Sequence, residues 1–272
     1  IAFEHGANCA ISTELAISGY PPRDLLFQQD FVEKCQVQAT SIQSSIPILV
    51  GTPVKAKDSR SRPGNGAIRC GEANREVVRK QLLPTYDVFD EARYFDPDER
   101  PGIARTFGDL DIAVTICEDA WQHSGKTPVD YDSDPISQIV EWCRQGVDLD
   151  ATVNLSASPY HATKAGVRIE VARTAAKSLG HPFLLANQVG GNDDLLFDGR
   201  SLIAWPDGQV LVGPAWKEGV LIADLSGPDN SEWIGEGVMT LLKPDENLIY
   251  PGDDILDAVV TGLSDYCRKN GI

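Results

Sequence analysis

The stretch Leu110-Asp111-Ile112-Ala113-Val114-Thr115-Ile116-Cys117-Glu118-Asp119-Ala120-Trp121 decides how this chain is read. Leu110 to Cys117 is a strongly apolar run of strand character, and an acidic pair follows at once. A cysteine taken alone is more often a small buried hydrophobe. Position is what singles out Cys117. A nucleophile at a strand end on a tight turn exposes its sulfur, and the next backbone N–H, that of Glu118, can then serve as an oxyanion donor.

Only a thiolate attacks well, so Cys117 needs a base and a cation or donor for the oxyanion that forms. Two upstream segments supply them: Ser12-Thr13-Glu14-Leu15 and Arg79-Lys80-Gln81-Leu82-Leu83-Pro84. Glu14 follows a Cys9-to-Thr13 strand, and Leu15-Ala16-Ile17 continues apolar, so its carboxyl is expected to be partly buried. Burial raises a carboxyl pKa and makes it a competent base near neutrality. Lys80 comes near the end of a hairpin built from Ala67 to Cys70, a turn over 71–74, and Glu76 to Leu82. Its ammonium would favour the charged sulfur and then hold the oxyanion.

Working outward, strands and helices alternate. Strands are expected over Ile46 to Gly51, Val147 to Leu155 and Phe183 to Val189, with a hairpin over Leu202 to Val212. Helices are expected over Asp30 to Ser44, with Phe31, Cys35, Val37 and Ile42 inward, over Ser137 to Gln145 and over Val167 to Leu179. There are no internal repeats. The order is that of an α/β sandwich. After Pro244 the pattern changes, and Asp253 to Asn270 carries Ile255, Leu256, Val259, Val260, Leu263, Tyr266 and Cys267 along one helical face.

Composition narrows the class. In 272 residues, 24 Lys plus Arg against 40 Asp plus Glu leave a formal charge of −16. Such a balance repels phosphate backbones and anionic lipid, so neither nucleic acid nor a membrane surface is an expected partner. No apolar run approaches the roughly 18 residues of a membrane span. The six cysteines lack Cys-x-x-Cys spacing, and His5, His123, His161 and His181 form no metal-ligand pattern, so no metal is expected. Free scattered cysteines fit a reducing, cytoplasmic setting.

The words around these three residues resemble the nitrilase (carbon–nitrogen hydrolase) superfamily. Gly19-Tyr20-Pro21-Pro22-Arg23-Asp24-Leu25-Leu26 and Asn187-Gln188-Val189-Gly190-Gly191-Asn192-Asp193 narrow it to the glutaminase domains of glutamine-dependent NAD synthetases. The resemblance runs from about Gly6 to Gly271. It implies a four-layer α-β-β-α sandwich whose catalytic groups are Glu14, Lys80 and Cys117, with Glu91 supporting the lysine. It also implies glutamine-recognition groups at Tyr20, Tyr86, Glu118, Trp121, Ser158 and Lys164, with Ser156 as the alternative to Ser158. The family's Phe-Pro-Glu is Ser12-Thr13-Glu14 here, a departure that leaves the glutamate in place.

Against that family the chain is expected to lack a first βα unit of about 30 residues. Residues 1–243 would form the glutaminase domain. Residues 244–272 would lead through Tyr266-Cys267-Arg268-Lys269-Asn270-Gly271 toward a synthetase domain, an ATP-pyrophosphatase absent from these residues. The expected substrate is L-glutamine and the expected partner is that domain, with self-assembly of the intact enzyme. ATP and magnesium would serve the absent domain, and no cofactor this one. Two rivals stand beside this reading: a free-standing carbon–nitrogen hydrolase acting on another amide or nitrile, and an inactive truncated scaffold.

Overall fold

The computed structural model describes residues 1–70, 75–248 and 254–272. Four strands make the smaller sheet, in chain order: β1 (Ala10–Ile11), β2 (Ile48–Val54), β3 (Gly64–Cys70) and β4 (Arg75–Arg79). β1 lies parallel on β2, with Ala10 opposite Ile48, and β2, β3 and β4 run antiparallel with an irregularity between Ala67 and Ile68. The expected turn over 71–74 lies outside the described residues, as does Asp253.

The larger sheet begins with β5 (Gly102–Phe107), β6 (Leu110–Ile116), β7 (Ala151–Ser156) and β8 (Phe183–Asn187). β9 (Val189–Asn192) and β10 (Leu195–Asp198) leave it as a hairpin, and β11 (Leu202–Ala204) and β12 (Val210–Val212) rejoin it. β13 (Gly219–Ile222) and β14 (Glu232–Gly235) pair apart, and β15 (Thr240–Leu242) completes the seven-stranded order β15-β12-β11-β8-β7-β6-β5. β6, β7 and β8 are parallel to one another, and the other pairings are antiparallel.

Among the described residues five α-helices accompany them: α1 (Gln29–Ser41), α2 (Glu91–Tyr94), α3 (Pro135–Arg144), α4 (Lys164–Leu179) and α5 (Asp254–Asn270). Between the sheets, Leu49, Ala67 and Val78 meet Phe107, Ile112, Val114, Ile116, Val153 and Leu155. Ala39 of α1 packs on Val50, Val54 and Ile68 of the smaller sheet. α3 and α4 set Ile136, Ile139, Ile169, Ala172 and Ala176 against Phe183, Leu185, Leu202 and Val210 of the larger one. Helix, sheet, sheet and helix therefore stack in four layers.

Several boundaries differ from expectation. β4 ends at Arg79, one residue before Lys80, whose N–H still donates to the Asn65 carbonyl of β3 at 2.8 Å and which is wholly buried. α1 ends at Ser41, and its inward stripe is Val32, Cys35 and Ala39, whereas Val37 is 63% exposed. A helical face recurs every three to four residues, and small Ala39 allows the close approach that a stripe of larger residues would not. α4 starts earlier than expected, at Lys164, and β7 later, at Ala151. β5, the hairpin β9–β10 and the ribbon β13–β14, none longer than six residues, fall outside the expected strands.

Between the sheets, beside β1, lies a cavity of about 890 Å³ bordered by Ile11, Phe107, Ile112, Val153, Leu184 and Val220. α5 sits on the β9–β10 hairpin by its narrow edge: Ala258 is buried, Gly262 lies against Leu196, and Asp265 Oδ2 accepts the Gly191 N–H at 2.6 Å. Its apolar stripe, Ile255, Leu256, Val259, Val260 and Leu263, faces solvent at 56% to 63% exposure. Among the described residues no helix is long and apolar enough to cross a membrane.

Candidate active site

β6 delivers Cys117. The strand ends at Ile116, and Cys117 takes a φ of 44°, the left-handed region that L-residues avoid, before a 3-10 turn over Cys117–Ala120. What holds this turn is Asp119, which is fully buried. Its Oδ2 accepts the Ile116 N–H at 3.0 Å, and its Oδ1 accepts the N–H groups of Gln81 and Leu82 at 3.0 and 2.9 Å. One carboxyl thus ties the nucleophile's turn to the segment that follows Lys80. Burial pushes the Asp119 carboxyl up to about 7, against the three backbone donors.

Lys80 and Glu14 come from the smaller sheet. Lys80 Nζ donates to Glu14 Oε1 at 2.8 Å and to Glu91 Oε1 at 2.7 Å. Glu14 is held from two further directions, by Asn65 Nδ2 at 2.7 Å and by the Ala157 N–H at 3.0 Å. Tyr20 O–H donates to Glu91 Oε1 at 2.8 Å, so Tyr20 reaches the site through Glu91. Glu14, Lys80, Glu91 and Cys117 are all 5% exposed or less.

Electrostatics separates their roles. Burial works against the Lys80 charge, but Glu14 and Glu91 outweigh it and hold the side chain as an ammonium. Burial, with Glu14 adding to it and Lys80 opposing it, pushes Glu91 up to about 7. At Cys117 burial dominates, the Glu14 charge adds to it and Lys80 opposes it, so the thiol is pushed well above its ordinary value. Its Sγ accepts a hydrogen bond from Ser156 Oγ at 3.6 Å. The resting nucleophile is therefore an S–H with a carboxylate in its field, and its proton must leave as the sulfur attacks.

Glu118 heads a second group. Its Oε1 accepts the hydroxyls of Tyr86 at 2.5 Å and Tyr131 at 3.2 Å, and the side chain is buried. Lys164 opens α4 with its ammonium 5.4 Å from the Trp121 ring centre and 5.6 Å from that of Phe89, within cation–π range. Burial lowers its pKa, while the charge of Glu118 acts to raise it. Ser158 stands apart: its hydroxyl is buried without a hydrogen-bond partner, and its N–H is fixed to Asn187 Oδ1 at 2.9 Å. Ser156, the alternative, spends its hydroxyl on the sulfur.

The carbon–nitrogen hydrolase family profile matches residues 1–234. The chain belongs to the carbon–nitrogen hydrolase family. Within that family it is 36% identical to the glutamine-dependent NAD(+) synthetase of Synechocystis sp., over 98% of this chain and 47% of that one. It is 33% identical to the corresponding Xylella fastidiosa protein, over 98% of this chain and 46% of that one. Among solved structures, the glutamine-dependent NAD+ synthetase of Acinetobacter baumannii superposes with a TM-score of 0.75 at 26% identity, covering 99% of this chain and 47% of that one. An amidase from Nesterenkonia sp. shares the fold, with a TM-score of 0.59 at 19% identity over 100% of this chain and 86% of that one. This hydrolase chain thus spans about half the length of the curated relatives it matches.

Asn65, Asp119 and Tyr131 escaped the sequence reading. Asp119 sits inside the string that opens it, yet nothing local shows that its partners come from Gln81 and Leu82. Asn65, between two glycines, touches a glutamate 51 positions away.

Proposed function

We propose that this chain hydrolyses the side-chain amide of L-glutamine and releases ammonia. The observation that carries the reading is the buried group of Glu14, Lys80 and Glu91 beside a buried cysteine on the strained turn that ends β6. Glu14 takes the Cys117 proton as sulfur attacks the amide carbon. The Lys80 ammonium and the Glu118 N–H hold the oxyanion, the C–N bond breaks, and Glu14 returns the proton to the departing ammonia. A glutamyl thioester remains. Water, deprotonated by Glu14, attacks it, and glutamate leaves as the thiol is restored.

Support for glutamine over a simple amide comes from the second group. A free amino acid needs an anion for its ammonium and a cation for its carboxylate. Glu118 and Lys164 supply one of each, with Tyr86 and Trp121 around them and the Ser158 hydroxyl unspent. The Synechocystis and Xylella relatives named above are glutamine-dependent NAD(+) synthetases. In the whole protein, then, the ammonia would pass to a synthetase domain that uses ATP and magnesium to amidate nicotinic acid adenine dinucleotide. Residues 1–243 would be the glutaminase, 244–272 the lead into that domain, the α5 stripe its docking face, and the cytoplasm its compartment.

The test is release of ammonia and glutamate by the purified chain, run beside a panel of aliphatic amides and nitriles. Glutamine turnover lost in Cys117→Ala, together with a covalent adduct of a glutamine-like electrophile on Cys117, is the expected result. Preference for an aliphatic amide or a nitrile would favour the free-standing hydrolase. No turnover of any of them would favour the scaffold.

A further inference from the structure

The catalytic reading leaves one buried set of charges unused. Asp198, the last residue of β10, is 1% exposed, and its two oxygens take Arg168 Nη2 at 2.6 and 2.5 Å. Arg200 Nη1 donates to the same carboxylate at 2.7 Å. The other terminal nitrogen of Arg200 donates to Asp254 Oδ1 at 2.5 Å, and Trp216 Nε1 donates to that oxygen at 3.0 Å. Two cations and two anions alternate out of water, with Arg168 Nε and Asp254 Oδ2 buried without a hydrogen-bond partner. Buried ion pairs are weak evidence for net stability, and their better-attested use is to specify one arrangement.

The ends of this row lie in different places. Arg168 follows Lys164 by one helical turn on α4, so the two side chains share a face. Its Nη1 reaches the carbonyl oxygen of Ser158 at 3.4 Å, while the Ser158 N–H is held by Asn187. The Tyr160 ring packs edge-on against Trp216, with centroids 4.9 Å apart. The Ser158–Tyr160 segment is therefore touched twice by the same network. At the far end, Asp254 opens α5.

We propose that Asp254, Arg200, Asp198 and Arg168 form a positioning row through which the seating of α5 sets the Ser158 and Lys164 side of the glutamine pocket. The proposal rests on the reading that Ser158 and Lys164 contact glutamine. None of the four touches the reacting atoms, so loosening the row weakens substrate binding and leaves the chemical step alone.

The experiment measures glutamine hydrolysis by the full chain carrying Asp254→Asn, Asp254→Glu, Trp216→Phe or Ser158→Ala. Asp254→Asn is expected to raise KM for glutamine about tenfold with kcat within about twofold, the signature of lost binding alone. Alkylation of Cys117 by iodoacetamide, a small uncharged reagent, keeps its rate. Asp254→Glu, which restores the charge, brings KM back toward the parent. A merely structural role would remove active molecules, lowering kcat and leaving KM unchanged, and that outcome overturns the proposal. Should Asp254→Asn fail to fold, Trp216→Phe removes one donor to the same oxygen and is expected to raise KM about threefold; an unchanged KM there overturns the proposal equally. Ser158→Ala separates the two levels. If it leaves KM unchanged, the pocket reading falls and this inference with it. If it raises KM while the Asp254 and Trp216 variants do not, only the positioning row is wrong.

Discussion

Lys80 carries two obligations at once, a counter-ion for two buried carboxylates and an oxyanion partner. Replacing it with methionine keeps the length and removes the charge, leaving Glu14 and Glu91 facing one another. Breaking a buried pair in this way costs about 3–5 kcal/mol of stability. Loss of one oxyanion partner lowers kcat by a further factor of about 10²–10³. Urea unfolding and steady-state kinetics on Lys80→Met check both numbers. Glu91 offers a prediction in pH. Its carboxyl rises from an ordinary 4.5 to about 7 on folding, mainly through burial. The folded chain therefore keeps a proton that the unfolded chain has released, so this stabilisation is complete below 4.5 and is lost as pH climbs through 7. The urea midpoint should fall between pH 5 and 8 in the parent and fall less in Glu91→Gln. Asp119, also raised to about 7, acts in the same sense, so a residual slope remains in that variant.

At the scale of elements, the site depends on how closely β2 passes beneath the segment that carries Glu14. A Cβ at Gly51 would lie 2.2 Å from the Thr13 carbonyl oxygen and 2.7 Å from the Leu15 nitrogen. Backbone cannot yield cheaply there, so Gly51→Ala should displace Glu14 although it touches no functional side chain. A misplacement near 1 Å is worth about 10²-fold in rate, which glutamine turnover would register beside an overpacking loss of about 1–3 kcal/mol. An unchanged kcat would mean that the two strands part without moving the base. The elements also explain what could be read in advance. The turn at Cys117 was legible because an apolar run ends in an acidic pair, and Lys80 because a leucine-proline tail follows it. Asn65 was not, since its glutamate lies in the turn after β1, far away in sequence, and nothing in Gly64-Asn65-Gly66 points to it. Val37 misled because it is apolar and correctly spaced, while the tight contact that orients α1 is made by Ala39. The β13–β14 ribbon, two strands of four residues each, is too short to show a strand period and stayed invisible.

For the molecule as a whole, α5 is the long helix that buries least, with Asp254 and Ala258 as its buried residues. Its edge contacts, Ala258 buried and Gly262 against Leu196, leave a row of aliphatic side chains in water. Gly262→Leu should wedge the helix off the hairpin, because the nearest atom to a new Cβ is Leu196 Cδ2 at 3.0 Å. Amide exchange over 254–270 would then quicken while that of β6 and β7 stays slow. The cavity beside β1 bears on how such experiments are run. At about 890 Å³, with Ile, Leu, Val and Phe side chains on its walls, it falls within the size range of pockets that take up drug-sized molecules. Environment-sensitive dyes used to follow melting report apolar shelter, which this chain offers before it unfolds. A dye-based melting curve should begin bright and show a shallow rise, whereas tryptophan emission should give a full transition at the same temperature. Binding of such a dye to the native chain would raise that temperature in proportion to the logarithm of its concentration, making the reporter itself a stabilising ligand.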